Sequence, residues 1–137
     1  MCRSNQQIAV VDDESSVRKA MERLLRSAGM SVSTFASGDA FLEAVSLAVP
    51  DCVVLDLHMP GTTGFEVLAR LAEREVRPPV VVITGHDTPE ARAGAVAGGA
   101  AAYLLKPVDE QALLQAIAAA TGSRPDGETP LRRDRGA

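Results

Sequence analysis

Five short apolar runs, each followed by a segment of helical period, limit the folds open to this chain more than anything else in it. The runs are IAVVD (8–12), SVSTF (31–35), CVVLD (52–56), PVVVIT (79–84) and AAYLL (101–105). Three of them are almost unbroken hydrophobic stretches, the pattern of parallel strands covered on both faces rather than of half-exposed, alternating strands. Between the runs, apolar residues recur every three or four positions. SSVRKAMERLLRSAG carries Val17, Met21, Leu24, Leu25 and Ala28 as one stripe, with Ser15 placed to cap the helix and Gly29 to stop it. GDAFLEAVSLA carries Phe41, Leu42 and Val45 and is closed by Pro50, and GFEVLARLAE carries Phe65, Leu68 and Leu71. DEQALLQAIAAA has Asp109 at its capping position and Leu113, Leu114 and Ile117 facing inward. TPEARAGAVAGG is the weakest of the five, because Gly94 inside a helix costs about 1 kcal/mol relative to Ala. Five strand–helix alternations predict an α/β fold, (βα)5: a doubly wound, five-stranded parallel sheet with right-handed crossovers and helices on both faces. A sheet of this kind takes its ligand at the carboxyl ends of the strands, near the point where the strand order reverses.

Composition removes several classes of function. No apolar run approaches the roughly 20 residues that span a bilayer, and MCRSNQQIAV lacks the apolar core of a signal peptide. The expectation is a cytoplasmic protein with no membrane contact. A net charge of -4 and an aromatic content of 3% speak against direct nucleic-acid binding, which calls for a basic face or stacking platforms. Cys2 and Cys52 are too few for a disulfide framework, and Cys52 within an apolar run reads as a small core residue. From residue 122 the chain turns to GSRPDGETPLRRDRGA, rich in Gly, Pro and charge and without apolar period. The expected organisation is therefore one domain over 1–121 and a flexible tail or linker over 122–137.

The polar residues that end the strands carry the chemistry. Asp12 and Asp13 close the first run, Asp56 the third, Thr84 the fourth, and Lys106 follows the fifth. Each alone is an ordinary loop start. In a parallel sheet, however, all these ends share one edge, so three carboxylates, a hydroxyl and an ammonium converge there. The stretch VVDDE (10–14) poses the question most sharply, since carboxylates crowded together repel unless something positive sits among them. Either it is a solvated turn before a helix N-terminus, where acids are favoured, or it is a cation site.

On these residues the sequence resembles the response-regulator receiver domains of bacterial two-component signalling. The resemblance rests on the pair Asp12-Asp13, LDLHMPGTTG around Asp56, TGH at 84–86 and YLLKP at 103–107, and it covers about residues 7–120. FASGDAFLEA and TGHDTPEA are nearest in wording to receivers that carry a LuxR-type helix-turn-helix output domain, and a receiver without that domain is expected here. The resemblance implies the flavodoxin-like strand order 2-1-3-4-5. It also implies that Asp56 accepts a phosphoryl group from a sensor histidine kinase or phosphotransfer protein, forming 4-aspartylphosphate in a phosphorelay. Mg²⁺ (or Mn²⁺) would be held by Asp12, Asp13, Asp56 and the backbone carbonyl of His58. Lys106 and Thr84 would meet the phosphoryl oxygens, and Tyr103 would turn between exposed and buried as the switch. The surface of the fourth helix, fifth strand and fifth helix would then change toward a partner or a second copy in a homodimer. His58, Gly85 and His86 fall where such domains tune the phosphate lifetime, and Pro107 falls where the Lys–Pro bond is cis. Such a protein is a signalling switch rather than an enzyme, catalysing only its own phosphorylation and dephosphorylation.

Read without the resemblance, Glu14 is a helix-start acid, Tyr103 a half-buried strand residue, His58 and His86 loop residues, and Pro107 a turn proline. One supporting detail is independent of it: of the 14 basic residues only Lys19 and Lys106 are lysine. Rival readings are a receiver-fold binding module that works without phosphorylation and the N-terminal half of a DNA-binding regulator. A phosphatase with an aspartyl-phosphate intermediate would want an acid where His58 stands, and a flavin binder would want a Ser/Thr/Gly-rich loop where Asp12 and Asp13 stand.

Overall fold

The computed structural model describes residues 6–122. β1 (Gln7–Val11), β2 (Ser31–Phe35), β3 (Cys52–Asp56), β4 (Val80–Thr84) and β5 (Ala102–Leu105) form one sheet in the order β2-β1-β3-β4-β5. Every neighbouring pair is parallel, with Val10 opposite Thr34 on one side and Val54 on the other. α1 (Ser15–Ser27), α2 (Gly38–Val45), α3 (Gly64–Ala72), α4 (Pro89–Ala97) and α5 (Glu110–Thr121) connect them. The strand order reverses between β1 and β3, which puts the crevice over Asp12, Asp13 and Asp56.

Side chains alternate across the sheet and build two cores. Ala9, Val11, Val53, Leu55, Val80 and Val82 face one way, onto Phe41 and Val45 of α2, Val67, Leu68 and Leu71 of α3, and Ala91 and Ala95 of α4. Ile8, Val10, Cys52, Val54, Val81 and Ile83 face the other, onto Met21 and Leu25 of α1 and Leu113 and Ile117 of α5. Every residue of β3 and β4 is buried, as their unbroken apolar sequence requires, whereas the edge strand β5 is only half covered. Each large aliphatic side chain buried in these cores stabilises the fold by roughly 1.5–3 kcal/mol. That layer is what fixes the positions of the strand ends.

Local chemistry sets the helix boundaries. Ser37, Thr63, Thr88 and Asp109 each accept a backbone N–H at a helix start, and Thr63 with Glu66 forms a reciprocal capping box. Ser15 does not cap α1, contrary to the expectation. The extended residue there is Glu14 (φ -91, ψ 119), and its side chain makes no capping hydrogen bond. The α1 stripe also ends one step early, with Ala28 exposed, and Gly29 then takes the left-handed turn (φ 91) that a residue with a Cβ rarely adopts. α2 stops at Val45 rather than running to Pro50, and it leaves Leu47 91% exposed. Among the described residues no helix is long and apolar enough to cross a membrane. Cys2 and the expected tail beyond residue 122 lie outside the described residues.

Candidate functional site

Asp12 is the first residue past β1, and its backbone N–H still donates to the Phe35 carbonyl at 3.1 Å. That bond and the flanking strands bury its carboxylate completely. Oδ1 accepts from the Glu14 N–H at 2.9 Å, and the Asp12 carbonyl accepts from Arg18 Nη1 of α1 at 2.8 Å. Oδ2 is buried, and its partner is the Lys106 ammonium, 2.9 Å away. Asp56 ends β3 at 3% exposure, and its Oδ1 accepts from the His58 N–H at 3.3 Å. Asp13 is exposed at the mouth. One carboxylate oxygen from each of Asp12, Asp13 and Asp56 lies within 4.8 Å of the other two.

Lys106 comes in from the far side of the sheet. Its Nζ lies 2.9 Å from Asp12 Oδ2, 3.2 Å from Glu14 Oε1 and 3.6 Å from Asp56 Oδ2. Of these contacts only the one to Glu14 has hydrogen-bond alignment. The Lys106 backbone N–H donates to the Thr84 carbonyl at 2.8 Å, and the Lys106–Pro107 peptide is cis. Burial, then the neighbouring Asp12, pushes the Asp56 carboxyl up to about 6 against the opposing pull of Lys106 and the His58 N–H. Burial pulls the Lys106 ammonium down, but Asp12, Asp56 and Glu14 outweigh it and hold the group above its ordinary value.

This donor set fits a hard divalent cation. It offers carboxylate oxygens only, with Asp12 and Asp56 buried and Asp13 exposed, and it lacks the imidazole and thiolate ligands that zinc or copper prefer. Gly64 keeps β3 and α3 in register at the site. A Cβ there would lie against the Asp56 carbonyl oxygen and 2.7 Å from Leu57 Cα, so only glycine lets the helix start this close to the strand end.

The other expected residues are grouped differently. Thr84 is fully buried, but its hydroxyl serves its own loop, accepting from the His86 N–H at 3.0 Å and donating to the His86 carbonyl at 3.3 Å. Tyr103 stands outside the acidic group. Its hydroxyl donates to Asp87 Oδ1 at 3.1 Å while the Arg92 guanidinium sits 4.5 Å above the ring and forks onto Asp87 at 3.2 Å. Burial, then the hydrogen bond to Asp87, raises the Tyr103 phenol. The exposed rings of His58 and His86 meet edge to face at 5.1 Å, and His58 also leans on Phe65 at 6.2 Å. A Cβ on Gly85 would meet nothing within 4 Å, so the rim is open there.

Sequence reasoning passes over four participants. By sequence Glu14 reads as a helix-start acid, yet its carboxylate holds Lys106. Asp87 and Arg92, which bracket Tyr103, carried no signal beyond being charged, and neither did Arg18.

Comparison with known proteins agrees with this geometry. Residues 8–118 match the response regulator receiver domain family. The chain is 40% identical over 100 residues to the DNA-binding transcriptional regulator NtrC of Klebsiella pneumoniae, covering 73% of this chain and 21% of that protein. It is 37% identical over 115 residues to the transcriptional regulatory protein FixJ of Azorhizobium caulinodans, covering 84% of this chain and 54% of that one. The crystal structure of a response regulator receiver protein from Burkholderia phymatum superposes with a TM-score of 0.78 at 43% identity, over 88% of this chain and 98% of that one. The chain thus spans between about a fifth and a half of the length of such curated relatives.

Proposed function

The chain belongs to the response regulator receiver family, whose domains are signalling switches, and from that premise we propose that it is a cation-dependent phosphoacceptor acting through Asp56. The observation that carries this is the meeting of Asp12, Asp13 and Asp56, whose carboxylate oxygens lie within 4.8 Å of one another, with the Lys106 ammonium 2.9 Å from the buried Asp12 Oδ2. Mg²⁺, or Mn²⁺, held by these three residues and the His58 carbonyl, would supply the positive charge that lets an anionic carboxylate approach an anionic phosphoryl group.

The residues of the chain then divide the work. An Asp56 oxygen attacks phosphorus, and the bond from phosphorus to the imidazole nitrogen of a donor phosphohistidine breaks. The imidazole leaves with the electron pair, and a mixed anhydride forms on Asp56. Lys106 provides a compact positive charge beside the new phosphoryl oxygens. Thr84 donates to one of them once its hydroxyl leaves the His86 carbonyl. Water later attacks phosphorus and restores Asp56 and inorganic phosphate, with the open rim at Gly85 admitting it and His58 and His86 setting its rate. Release of the Thr84 hydroxyl frees the β4–α4 loop, and Tyr103 follows by leaving Asp87. The surface of α4, β5 and α5 changes as a result, and a partner, an output domain or a second copy reads it. The donor is a sensor histidine kinase or phosphotransfer protein.

Intact-mass measurement after incubation with acetyl phosphate or phosphoramidate tests this. One Mg²⁺-dependent, hydroxylamine-labile phosphate, absent in Asp56→Ala, is expected. No adduct from either donor or from a phosphorylated kinase would favour a binding module that works without phosphorylation. The length of the relatives supports a second proposal, that these residues form the receiver portion of a DNA-binding regulator.

A further inference from the structure

Beyond its contact with Lys106, the Glu14 side chain has no role assigned so far. It occupies the N-cap position of α1 without capping it, and it lies outside the group of three carboxylates that meet around the buried oxygen. Its side chain is 59% exposed, and its one side-chain partner among the described residues is Lys106, 92 positions away in sequence, at 3.2 Å. Lys106 is therefore shared among three acids of two kinds. Asp12 and Asp56 are buried and belong to the candidate cation site, whereas Glu14 lies on the solvent side and does not.

A divalent cation held by Asp12, Asp13 and Asp56 would compete with the ammonium for the Asp12 and Asp56 carboxylates. Two like charges there would repel, and the ammonium would lean away. Without a counter-charge outside, a lysine released in this way would swing into water and lose its fixed position over Asp56. Glu14 Oε1 is already aligned to receive it.

We propose that Glu14 is the second seat of Lys106: it holds the ammonium at the mouth of the site when a cation takes over the Asp12 and Asp56 oxygens. Glu14 is thus a positioning residue that acts through Lys106, and the role rests on the reading of the site as cation-dependent.

Magnesium titration by calorimetry, with lysine side-chain NMR on the same samples, tests it. Lys19 and Lys106 are the only lysines, so the two sets of signals separate cleanly. In the native protein the Lys106 Cε–Hε signals stay shifted and broad as Mg²⁺ is added. In Glu14→Gln they move to the positions of a free lysine at saturating Mg²⁺, and Mg²⁺ binds about two- to fivefold more weakly, the scale of one partly exposed ion pair. Glu14→Asp keeps the charge but falls one methylene short, and it should behave like Glu14→Gln. In a Lys106→Met background the Glu14→Gln substitution should leave Mg²⁺ affinity unchanged. A Glu14→Asp protein indistinguishable from the native one, or a Glu14→Gln effect that persists undiminished beside Lys106→Met, would mean that Glu14 acts by charge alone and would overturn the proposal. A native protein that binds no Mg²⁺ in the titration would overturn the phosphoacceptor reading and this proposal together.

Discussion

Two mixed-charge clusters occupy the carboxyl edge of the sheet. Over β1 and β3, Lys106 faces Asp12 and Asp56, whose residues are 0% and 3% exposed. Over β4 and β5, Arg92 faces Asp87 with side chains 54% and 38% exposed, and Tyr103 completes the group. The charge types and the contact distances are alike, but water reaches only the second. In the first, solvent cannot screen two neighbouring carboxylates, so the cluster holds unfavourable free energy that a cation or a proton relieves. In the second, the same chemistry is a light latch, since exposed pairs stabilise by about 0–1 kcal/mol. A switch needs both kinds: a place where a small ligand changes a large energy, and a contact weak enough to yield to it.

Removing the compensating charge from the inner cluster should have the largest effect. Lys106→Met leaves Asp12 and Asp56 facing one another, and about 3 kcal/mol of metal-free stability should be lost by urea unfolding. Mg²⁺ should restore part of it; an unmoved midpoint would mean that Lys106 does not neutralise the pair. Gly64→Ala attacks the same cluster through the backbone. Its Cβ collides with the Asp56 carbonyl, and a loss of about 2 kcal/mol together with weakened Mg²⁺ binding is expected. Native stability and native affinity in that variant would show that α3 yields without moving Asp56.

A smaller effect runs the other way. The folded Asp56 carboxyl sits at about 6, above its ordinary 3.8, so the folded chain keeps a proton that the unfolded chain has already released. Metal-free stability therefore falls as pH rises from about 4 through 6 and stays lower above that window. Asp56→Asn abolishes this decline and should stabilise the metal-free protein at pH 7 on the order of 1–2 kcal/mol. Thermal melts of both proteins between pH 4 and 7.5 decide it: parallel curves would mean that the strain lies elsewhere. Least affected is the outer cluster. Arg92→Ala should cost under about 1 kcal/mol, and the difference should vanish in high salt. A larger, salt-insensitive loss would mark the Tyr103 latch as part of the core.

How much of this was legible in the sequence follows from how far each feature depends on neighbours. The strands and the convergence of Asp12, Asp56 and Lys106 were readable, because unbroken apolar runs define a parallel sheet and a parallel sheet brings its carboxyl ends to one edge; the strand order was implied only by the resemblance to receiver domains. Side-chain partners were not. The Thr84 hydroxyl turns to a backbone two residues away, and Glu14 finds a lysine 92 positions away in sequence. Both outcomes depend on loop geometry that periodicity does not encode. Ser15 failed as a cap for a related reason, since the extended backbone at Glu14 moved the helix start by one residue.

The 92-residue separation between Lys106 and Glu14 has a consequence for biosynthesis. A ribosome delivers the acids of β1 first and those of β3 midway, but the lysine that neutralises them emerges only when β5 is made. Until then a partly folded intermediate carries Asp12 and Asp56 without their counter-charge, which disfavours early closure of that edge. Closure of the acidic site thus waits for the last strand of the sheet, and a nascent chain cannot hold the finished site before β5 has been made.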